Sequence, residues 1–367
     1  MPRLLVTGGA GFIGSNFVHH RLREYPGERL VVLDALTYAG NAANLESAMR
    51  RPEFRFVRGD ICDGNLVERL LREERIDTIA HFAAESHVDR SIQGPDAFIQ
   101  TNVIGTHSLL KAARQVWLEE RLVEHHRFHH VSTDEVFGSL GPEDPAFHEQ
   151  TPYAPNSPYS ASKAASDHLV RAYHHTYGMN VTTSNCSNNY GPYHFPEKLI
   201  PLTITNILQG RKLPIYGDGR NIRDWLYVSD HCRAIDMVLC NGRPGHVYNI
   251  GGDSECENVN LVKMLCAIAE GVLGSDPGLR SRYPDCPASR GEAVQSLITF
   301  VKDRPGHDKR YAINYGKIQE ELAYQPRMSL SSGLTETFRW YVENEAWWRS
   351  VMDGDYQRWI DVQYAHG

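Results

Sequence analysis

Short apolar runs alternate with longer amphipathic segments along the first half of the chain. Each run has the length of a buried strand, and the runs lie at residues 3–7, 29–33, 54–57, 76–82, 127–132 and 181–186. Segments between them predict helices, the clearest at 12–25, 95–113 and 160–177. Because strands and helices alternate, we predict an α/β fold, with a Rossmann-type parallel sheet doubly wound by helices on both faces.

The pattern changes near residue 188, after which proline, glycine and polar turns become more frequent. Predicted helices at 198–209 and 259–274 and a strand and turn at 213–219 alternate less regularly, while a run at 246–250 is expected to return to the main sheet. We therefore predict a first domain over residues 1–188, to which later strands return, and a smaller C-terminal mixed α/β domain over 189–367. The aromatic tail from Trp347 to Tyr364 is expected to pack on the body of the protein.

Composition narrows the class of protein. With 41% hydrophobic and 23% charged residues, the chain of 367 residues is typical of a soluble globular protein, and its net charge of -7 excludes a basic nucleic-acid footprint. No apolar run is long enough to span a membrane, and the N-terminus enters a strand without a signal peptide. Seven scattered cysteines without CxxC spacing predict reduced thiols in a cytoplasmic protein, and the histidines lack acids at ligand spacing, so we expect no metal site.

A glycine motif follows the first predicted strand. Residues 8–14 read Gly-Gly-Ala-Gly-Phe-Ile-Gly and precede a helix, a context in which backbone amides and the helix N-terminus bind a pyrophosphate. Asp34 ends the second strand about 20 residues later, where a carboxylate binds the adenosine ribose and repels a 2′-phosphate. The motif therefore predicts NAD rather than NADP, although an aspartate here could also cap a turn.

Two further pairs of side chains carry acid–base chemistry. Tyr159 and Lys163 lie on one helix face, where an ammonium lowers the pKa of a phenol and fits it as a base for alcohol oxidation. Asp134 and Glu135 follow a predicted strand, and one can act as an acid while the other acts as a base. Alone, each pair has an ordinary explanation, since such spacings occur by chance and adjacent acids are common in turns.

Ligands of parallel sheets bind beyond the carboxyl ends of the strands. The residues at these predicted ends, which we expect to form one site, are Gly8, Asp34, Asp60, Ala83, Thr133 and Asn188.

Five stretches carry a resemblance to a known family, and they are residues 34–41, 83–91, 133–138, 185–199 and 303–307. Through them the chain resembles the extended short-chain dehydrogenase/reductase family, most closely its nucleotide-sugar dehydratases. Related sugar epimerases share the glycine loop and the Tyr159/Lys163 pair but lack the two acids after Thr133. Phe137, where many such dehydratases have tyrosine, is a small departure beyond the acids.

The resemblance implies a role for each acid–base residue. It makes Thr133 a substrate contact, Asp134 and Glu135 the acid and base of an elimination, Tyr159 the oxidation base, and Lys163 the residue that holds the nicotinamide ribose. With the glycine motif, it gives as NAD contacts Gly8, Gly11, Phe12, Ile13, Gly14, Asp34, Ala35, Leu36, Thr37, Asp60, Ile61, Phe82, Ala83, Ala84, Glu85, Ser86, Thr101, Tyr159, Lys163 and Asn189. The implied substrate contacts are Ser86, Thr133, Asn188, Lys198, Leu199, Pro214, Ile215, Tyr216, Arg223, Asn258, Asp303, Arg304, Pro305, Gly306 and His307, with the two arginines suited to a diphosphate.

The implied activity is dehydration of dTDP-glucose to dTDP-4-keto-6-deoxyglucose, through oxidation at carbon 4, loss of water across carbons 5 and 6, and hydride return to carbon 6. The alternatives are a nucleotide-sugar 4-epimerase, a dehydratase acting on UDP-glucose, and a non-catalytic dinucleotide-binding sensor. By the same resemblance, the first domain binds NAD, the second binds the nucleotide sugar, and the helices near 95–113 and 160–177 pair across a homodimer. We expect no nucleic-acid or membrane partner.

Overall fold

The computed structural model describes residues 2–303 and 306–352. Arg304, Pro305 and the part of the aromatic tail beyond residue 352 lie outside the described residues. The chain divides into two compact units: unit 1 comprises Met1–Ser187, Val228–Gly251 and Tyr311–Gln325, and unit 2 comprises Asn188–Tyr227, Gly252–Arg310 and Pro326–Gly367.

The elements of the described residues are numbered in chain order. The strands are β1 (Arg3–Thr7), β2 (Arg29–Asp34), β3 (Phe54–Arg58), β4 (Thr78–His81), β5 (Arg127–Thr133), β6 (Val181–Cys186), β7 (Asn188–Tyr190), β8 (Leu213–Tyr216), β9 (Ile222–Tyr227), β10 (Val247–Ile250), β11 (Glu255–Glu257) and β12 (Ile298–Val301). The helices are α1 (Phe12–Glu24), α2 (Gly64–Glu73), α3 (Val88–Gln93), α4 (Asp96–Phe98), α5 (Thr106–Arg114), α6 (Pro158–Tyr177), α7 (Leu199–Leu208), α8 (Val228–Asn241), α9 (Asn258–Ser275), α10 (Pro277–Arg282), α11 (Gly316–Leu322), α12 (Leu330–Glu343) and α13 (Glu345–Val351).

Unit 1 contains a parallel sheet of seven strands in the order β10-β6-β5-β4-β1-β2-β3. Its apolar runs are buried because helices cover them: Leu5, Val31, Ile79 and Phe128 pack with Leu109 of α5 in one core. β10 pairs with β6, so the run predicted to return to the main sheet does so. The predicted Rossmann-type fold is confirmed.

Unit 2 is smaller and mixed, as predicted. One sheet has the order β11-β9-β7, with β11 antiparallel and β7 parallel to β9, and a second sheet pairs β12 with β8. Helices α7, α9 and α12 supply the core, in which Ile204, Leu265 and Phe338 pack with Trp225 of β9.

The long helix predicted at 95–113 is interrupted by wider turns. The segment is helical from α4 through α5, but Ile99–Gly105 and Gln115–Glu119 are π-helical. Such turns are frequent at functional sites, because the inserted residue changes the direction of side chains. Hydrophobic periodicity does not reveal them.

No helix within residues 2–303 and 306–352 combines the length and the apolar character that crossing a bilayer requires.

Candidate active site

The carboxyl ends of four neighbouring strands meet at one edge of the unit 1 sheet. β1 pairs in parallel with β2 and β4, and β4 pairs in parallel with β5. Thr7 is in register with both Leu33 and His81, so the segments after these three strands begin side by side. The strand-end residues that the sequence placed in this unit are therefore gathered along a single edge.

The glycine loop after β1 has no room for side chains. Gly8 has a φ of +69°, and a Cβ on it would lie 2.6 Å from the N atom of Ala83. A Cβ on Gly14 would collide with the carbonyl oxygen of Gly8. Since α1 begins at Phe12, its first amide groups lack partners within the helix and lie at this loop. The loop thus fits the close approach of a dinucleotide pyrophosphate.

Asp34 lies at the end of β2 with both carboxylate oxygens bonded to backbone. Oδ2 accepts the N–H of Ala10 at 2.9 Å, and Oδ1 accepts the N–H of Leu36 at 2.8 Å. Burial raises the pKa of Asp34, although these two bonds act to lower it. Because a carboxylate has about four acceptor positions, it can still accept the hydroxyls of a ribose. Ala35 and Thr37 continue the same loop.

The remaining predicted cofactor residues of unit 1 follow β3 and β4 or lie on helices. Asp60 is exposed and accepts the N–H of Cys62 at 2.8 Å, while Ile61 is buried. The segment 82–86 begins directly after β4, and Thr101 lies half-buried in the first π-helical stretch. Asn189 belongs to β7 in unit 2.

Asn102 is a residue that sequence reasoning missed. It is buried and receives the Glu85 N–H at 2.9 Å, while its amide donates to the Glu85 carbonyl at 3.0 Å and to Ser162 Oγ at 2.8 Å. Ser162 precedes Lys163, so Asn102 joins the segment after β4 to α6. The available signal was a polar, helix-disfavouring residue inside a predicted helix, next to Thr101.

Helix α6 places Tyr159 in its first turn. The helix is capped by Ser157, which exchanges hydrogen bonds with Ser160, and Pro158 occupies the first position, where its missing N–H costs nothing. Tyr159 is buried against the edge of Phe98. Lys163, one turn later, is also buried, and its Nζ donates to the carbonyl of Val131 at 2.9 Å.

Burial dominates the titration of this pair. It raises the pKa of Tyr159 well above that of a free phenol, and the negative charge of Glu135 raises it further. It lowers the pKa of Lys163 to about 8. In the protein alone these effects outweigh the lowering of the Tyr159 pKa that the spacing of the pair predicts.

The two acids lie in a short turn at the end of β5. Thr133 caps this turn, because its Oγ1 accepts the N–H of Glu135 at 3.3 Å and donates to Asp134 Oδ1 at 3.4 Å. Asp134 is 1% exposed, while Glu135 is half-buried. The Thr133 hydroxyl and the charges of both acids act on the pKa of Tyr159, so these side chains lie close together. The structure therefore brings together the predicted oxidation base and the predicted acid–base pair.

Phe137, the departure from the family pattern, is a packing residue. Its ring is buried, stacks on Phe147 with centroids 5.1 Å apart and meets Tyr153 edge-on.

A buried carboxylate behind this turn was also missed by sequence reasoning. Asp167, one helical turn after Lys163, accepts hydrogen bonds from Ser132 Oγ and the Tyr153 hydroxyl, each at 2.9 Å, and lies 3.1 Å from His130 Nε2. Burial raises the pKa of Asp167 to about 6, and the charge of Lys163 opposes that rise. Asp167 thus fixes β5 against α6, which sets the acids and Tyr159 in register. Its spacing of four from Lys163 was the available signal.

The predicted substrate residues of unit 2 form two groups around its sheets. Pro214, Ile215 and Tyr216 lie on β8, beside β12, and the ring centroids of Tyr216 and His307 are 6.0 Å apart. His307 Nδ1 lies 2.6 Å from Asp303 Oδ1, so the described ends of the 303–307 loop are joined.

The second group centres on β9. Arg223 is buried, and its guanidinium donates to the carbonyls of Ile222 at 2.7 Å and Asp308 at 2.9 Å. The bond to Asp308 holds the segment that follows the 303–307 loop. Asn188 lies on β7, where it is in register with Trp225 of β9. The other predicted contacts lie at helix starts, and they are Lys198, Leu199 and Asn258.

The described part of the chain contains no group of three or more His, Cys, Asp or Glu side chains suited to a metal ion.

Comparisons with known proteins give the family. The family model described as GDP-mannose 4,6 dehydratase matches residues 5–337. A protein of Xanthomonas campestris pv. campestris strain B100 named dTDP-glucose 4,6-dehydratase is 55% identical, over 97% of this chain and 98% of its own. The namesake of Salmonella typhimurium is 48% identical, over 99% of each chain.

Solved structures agree with this assignment. The dTDP-glucose 4,6-dehydratase of Streptomyces venezuelae, solved with NAD and TYD bound, superposes with a TM-score of 0.84 and 48% identity, over 95% of this chain and 99% of that one. A UDP-glucose 4-epimerase of Thermus thermophilus, solved with NAD, is 27% identical over 93% and 99% of the two chains, with a TM-score of 0.78. The chain therefore belongs to the GDP-mannose 4,6 dehydratase family, within the extended short-chain dehydrogenases/reductases.

Proposed function

We propose that this protein dehydrates dTDP-glucose to dTDP-4-keto-6-deoxyglucose with NAD as a resident cofactor. One observation carries the proposal: Tyr159 lies close enough to Thr133, Asp134 and Glu135 for all three side chains to act on its pKa. An oxidation base and an elimination acid–base pair thus serve one location. Relatives that are 48–55% identical over nearly the whole chain carry the name dTDP-glucose 4,6-dehydratase, which supports this substrate.

Tyr159 and Lys163 act first in this proposal. Tyr159 removes the proton of the hydroxyl at carbon 4, with Thr133 holding that hydroxyl beside it. NAD, when bound, supplies the acceptor for the carbon 4 hydride and later returns it to carbon 6. Lys163 binds the nicotinamide ribose, and its ammonium favours the phenolate that burial otherwise opposes.

Glu135 and Asp134 act once carbon 4 is a ketone. The ketone acidifies the hydrogen on carbon 5, which no carboxylate could remove from the parent sugar. Glu135 takes that proton, and Asp134 protonates the hydroxyl that leaves carbon 6, so that water departs. When hydride returns to carbon 6, carbon 5 is reprotonated, which gives the 4-keto-6-deoxy sugar. Asp134 is suited to the acid role by its place in the turn after β5, directly beside Glu135 and near Tyr159.

The cofactor roles of the remaining unit 1 residues follow from their places along the edge of the sheet where the carboxyl ends of the strands meet. The glycine loop binds the pyrophosphate, Asp34 the adenosine ribose, and the segments at 60–61 and 82–86 the two ring systems. We also propose that residues 1–188, with the later strands that join their sheet, form the NAD-binding domain, and that 189–367 form the nucleotide-sugar domain. In the latter Arg223 serves the diphosphate, since its bonds to the carbonyls of Ile222 and Asp308 hold the guanidinium in a fixed orientation.

An epimerase would not need Asp134 and Glu135. Oxidation and re-reduction at carbon 4 need only the tyrosine, the lysine and NAD. A sensor needs none of these four side chains. The epimerase structure of Thermus thermophilus is also more distant, at 27% identity.

The decisive experiment is incubation of the purified protein with dTDP-glucose and, separately, with UDP-glucose, followed by mass spectrometry. We expect loss of one water from dTDP-glucose and much slower loss from UDP-glucose. A product of unchanged mass that chromatography separates from the substrate would identify an epimerase, and a single unchanged peak in both reactions would favour the sensor. Faster loss of water from UDP-glucose would mean that the preferred substrate carries UDP rather than dTDP.

Asp34 is expected to make the protein specific for NAD. A 2′-phosphate beside this buried carboxylate would place like charges together, which costs several kcal/mol, so NADP should bind roughly 100-fold or more weakly. Calorimetry with each cofactor tests this. The Asp34→Asn variant should narrow the difference in affinity between NAD and NADP. Equal binding of the two cofactors by the wild-type protein would show that Asp34 does not select between them.

We further propose a homodimer that buries helices 96–119 and α6. Ile99 and Ile104 are 47% and 45% exposed on the first helix, and Tyr177 is 43% exposed at the end of α6. Exposed apolar side chains of this size along two helices that contact each other favour an interface. Light scattering should give twice 41.5 kDa at micromolar concentration.

Substitution at this surface tests the dimer further. Ile99→Glu with Ile104→Glu should give the monomer mass, because two charges would be buried in the interface. Met49→Glu is the matched control, since Met49 is equally exposed but lies on neither helix. A wild-type mass of 41.5 kDa would refute the dimer.

We place this activity in the cytoplasm. All seven cysteines, each within the described residues, are free thiols, which a reducing compartment preserves.

A further inference from the structure

The loop after β2, residues 35–41, is fixed at both ends against the glycine loop. At its start Asp34 accepts the N–H groups of Ala10 and Leu36. At its end the N–H of Asn41 donates to the carbonyl of the same Ala10 at 3.0 Å. Gly40 closes this base tightly, since a Cβ there would lie 2.9 Å from Asp34 Oδ1. The loop therefore forms an arch: hydrogen bonds to Ala10 hold both of its ends, and Tyr38 lies in the tip between them.

The tip of the arch contacts a helix on the other side of β1. The guanidinium carbon of Arg90, in α3, lies 4.0 Å from the centroid of the Tyr38 ring. β1 lies between β2 and β4 in the sheet, Tyr38 follows β2, and Arg90 follows β4. The contact consequently spans the carboxyl end of β1, where the glycine loop lies. Both side chains are half-buried, and the N–H of Arg90 donates to the ring of His87, which caps α3.

We propose that Tyr38 and Arg90 form a clasp that retains NAD in its site between turnovers. The inference rests on the proposed function, in which NAD binds at the glycine loop and is regenerated within each cycle. A dinucleotide whose pyrophosphate lies on that loop has to pass the contact that spans it before it can leave. A cation over an aromatic ring is attractive even at a partly exposed site. The clasp thus adds to the barrier for NAD release and takes no part in the acid–base steps.

Release of NAD can be measured directly on the holoenzyme. The protein is loaded with isotopically labelled NAD, excess unlabelled NAD is added without any sugar, and the loss of bound label is followed. Tyr38→Leu and Arg90→Gln should each release the label roughly 2- to 30-fold faster than wild type, the range expected for one cation–π contact. Tyr38→Phe is the matched control, because it keeps the ring and should release NAD at nearly the wild-type rate.

The double variant separates a clasp from two independent effects. If Tyr38 and Arg90 act through each other, Tyr38→Leu/Arg90→Gln should release NAD no faster than the faster single variant. Multiplying effects, unchanged release in either single variant, or rapid release by Tyr38→Phe would each overturn the clasp. Because no sugar is present, these outcomes are independent of the water-loss assay on the wild-type protein, which alone decides the proposed dehydration.

Discussion

Tyr159→Phe should stop the proposed reaction at its first step, with oxidation of the sugar slowed by roughly 10²–10⁴-fold. The phenol is the group placed to accept the carbon 4 proton, and phenylalanine fills the same space beside Phe98 without a proton acceptor. Tyr159 is buried, so water has little access to replace the missing hydroxyl in this site. In a single turnover, we expect almost no absorbance of reduced nicotinamide when substrate is added.

Tyr173→Phe is the matched control for this variant. Tyr173 lies on the same helix, is equally buried, and its hydroxyl bonds to His107 outside the proposed site. It should therefore form reduced nicotinamide at the wild-type rate. Rapid formation of reduced nicotinamide by Tyr159→Phe would mean that another group takes the proton, and the assignment of the oxidation base would be wrong.

The fold was predictable because local patterns determine it. Apolar runs of strand length between amphipathic segments require a parallel sheet covered by helices, and strand ends in such a sheet share an edge. The sequence therefore indicated that Gly8, Asp34 and Thr133 would gather in unit 1, and the strand register brings them to one edge. Likewise, helical spacing alone predicted that Tyr159 and Lys163 would lie one turn apart.

The supporting residues were not predictable, because their contacts join distant parts of the chain. Asn102 bonds to Ser162, 60 positions away, and Asp167 bonds to Ser132, 35 positions away. Neither pairing leaves a periodic signal. The same applies to Arg223, whose guanidinium bonds the carbonyl of Asp308, 85 positions away. Its sequence context suggested only a free charge for a diphosphate, whereas its contacts also fix a loop.

The spacing of Tyr159 and Lys163 did not predict the direction of the Tyr159 pKa shift in the protein alone, for a physical reason. Helical spacing shows which charges are neighbours, but not how much water surrounds them. Desolvation is the largest effect on the pKa of Tyr159, Lys163 and Asp167 alike, and each shift disfavours the charged form. Burial thus disfavours the charged form of the base and of its partners in the protein alone, and the charges that favour the phenolate have to come from Lys163 and the bound cofactor.

Glu135→Gln should separate the two halves of the mechanism. Its task begins only when the ketone exists, so oxidation at carbon 4 should proceed while elimination is slowed by roughly 10²–10⁴-fold. The absorbance of reduced nicotinamide should then rise and persist, beside a 4-keto hexose that retains its hydroxyl at carbon 6. The variant should also fail to exchange the carbon 5 hydrogen in deuterated solvent, because no base removes that proton. Single-turnover absorbance, read together with deuterium uptake by mass spectrometry, measures both effects.

Asp134→Asn is the informative comparison, because it removes the acid and leaves the base. Its side chain can still accept the hydrogen bond of Thr133, so the turn after β5 should keep its shape. This variant should lose water slowly, as Glu135→Gln does, but unlike Glu135→Gln it should still exchange the carbon 5 hydrogen. Normal exchange by Glu135→Gln would transfer the base role elsewhere. Loss of exchange in both variants would show instead that the two carboxyl groups act as one coupled unit, in which proton removal at carbon 5 requires the acid at carbon 6.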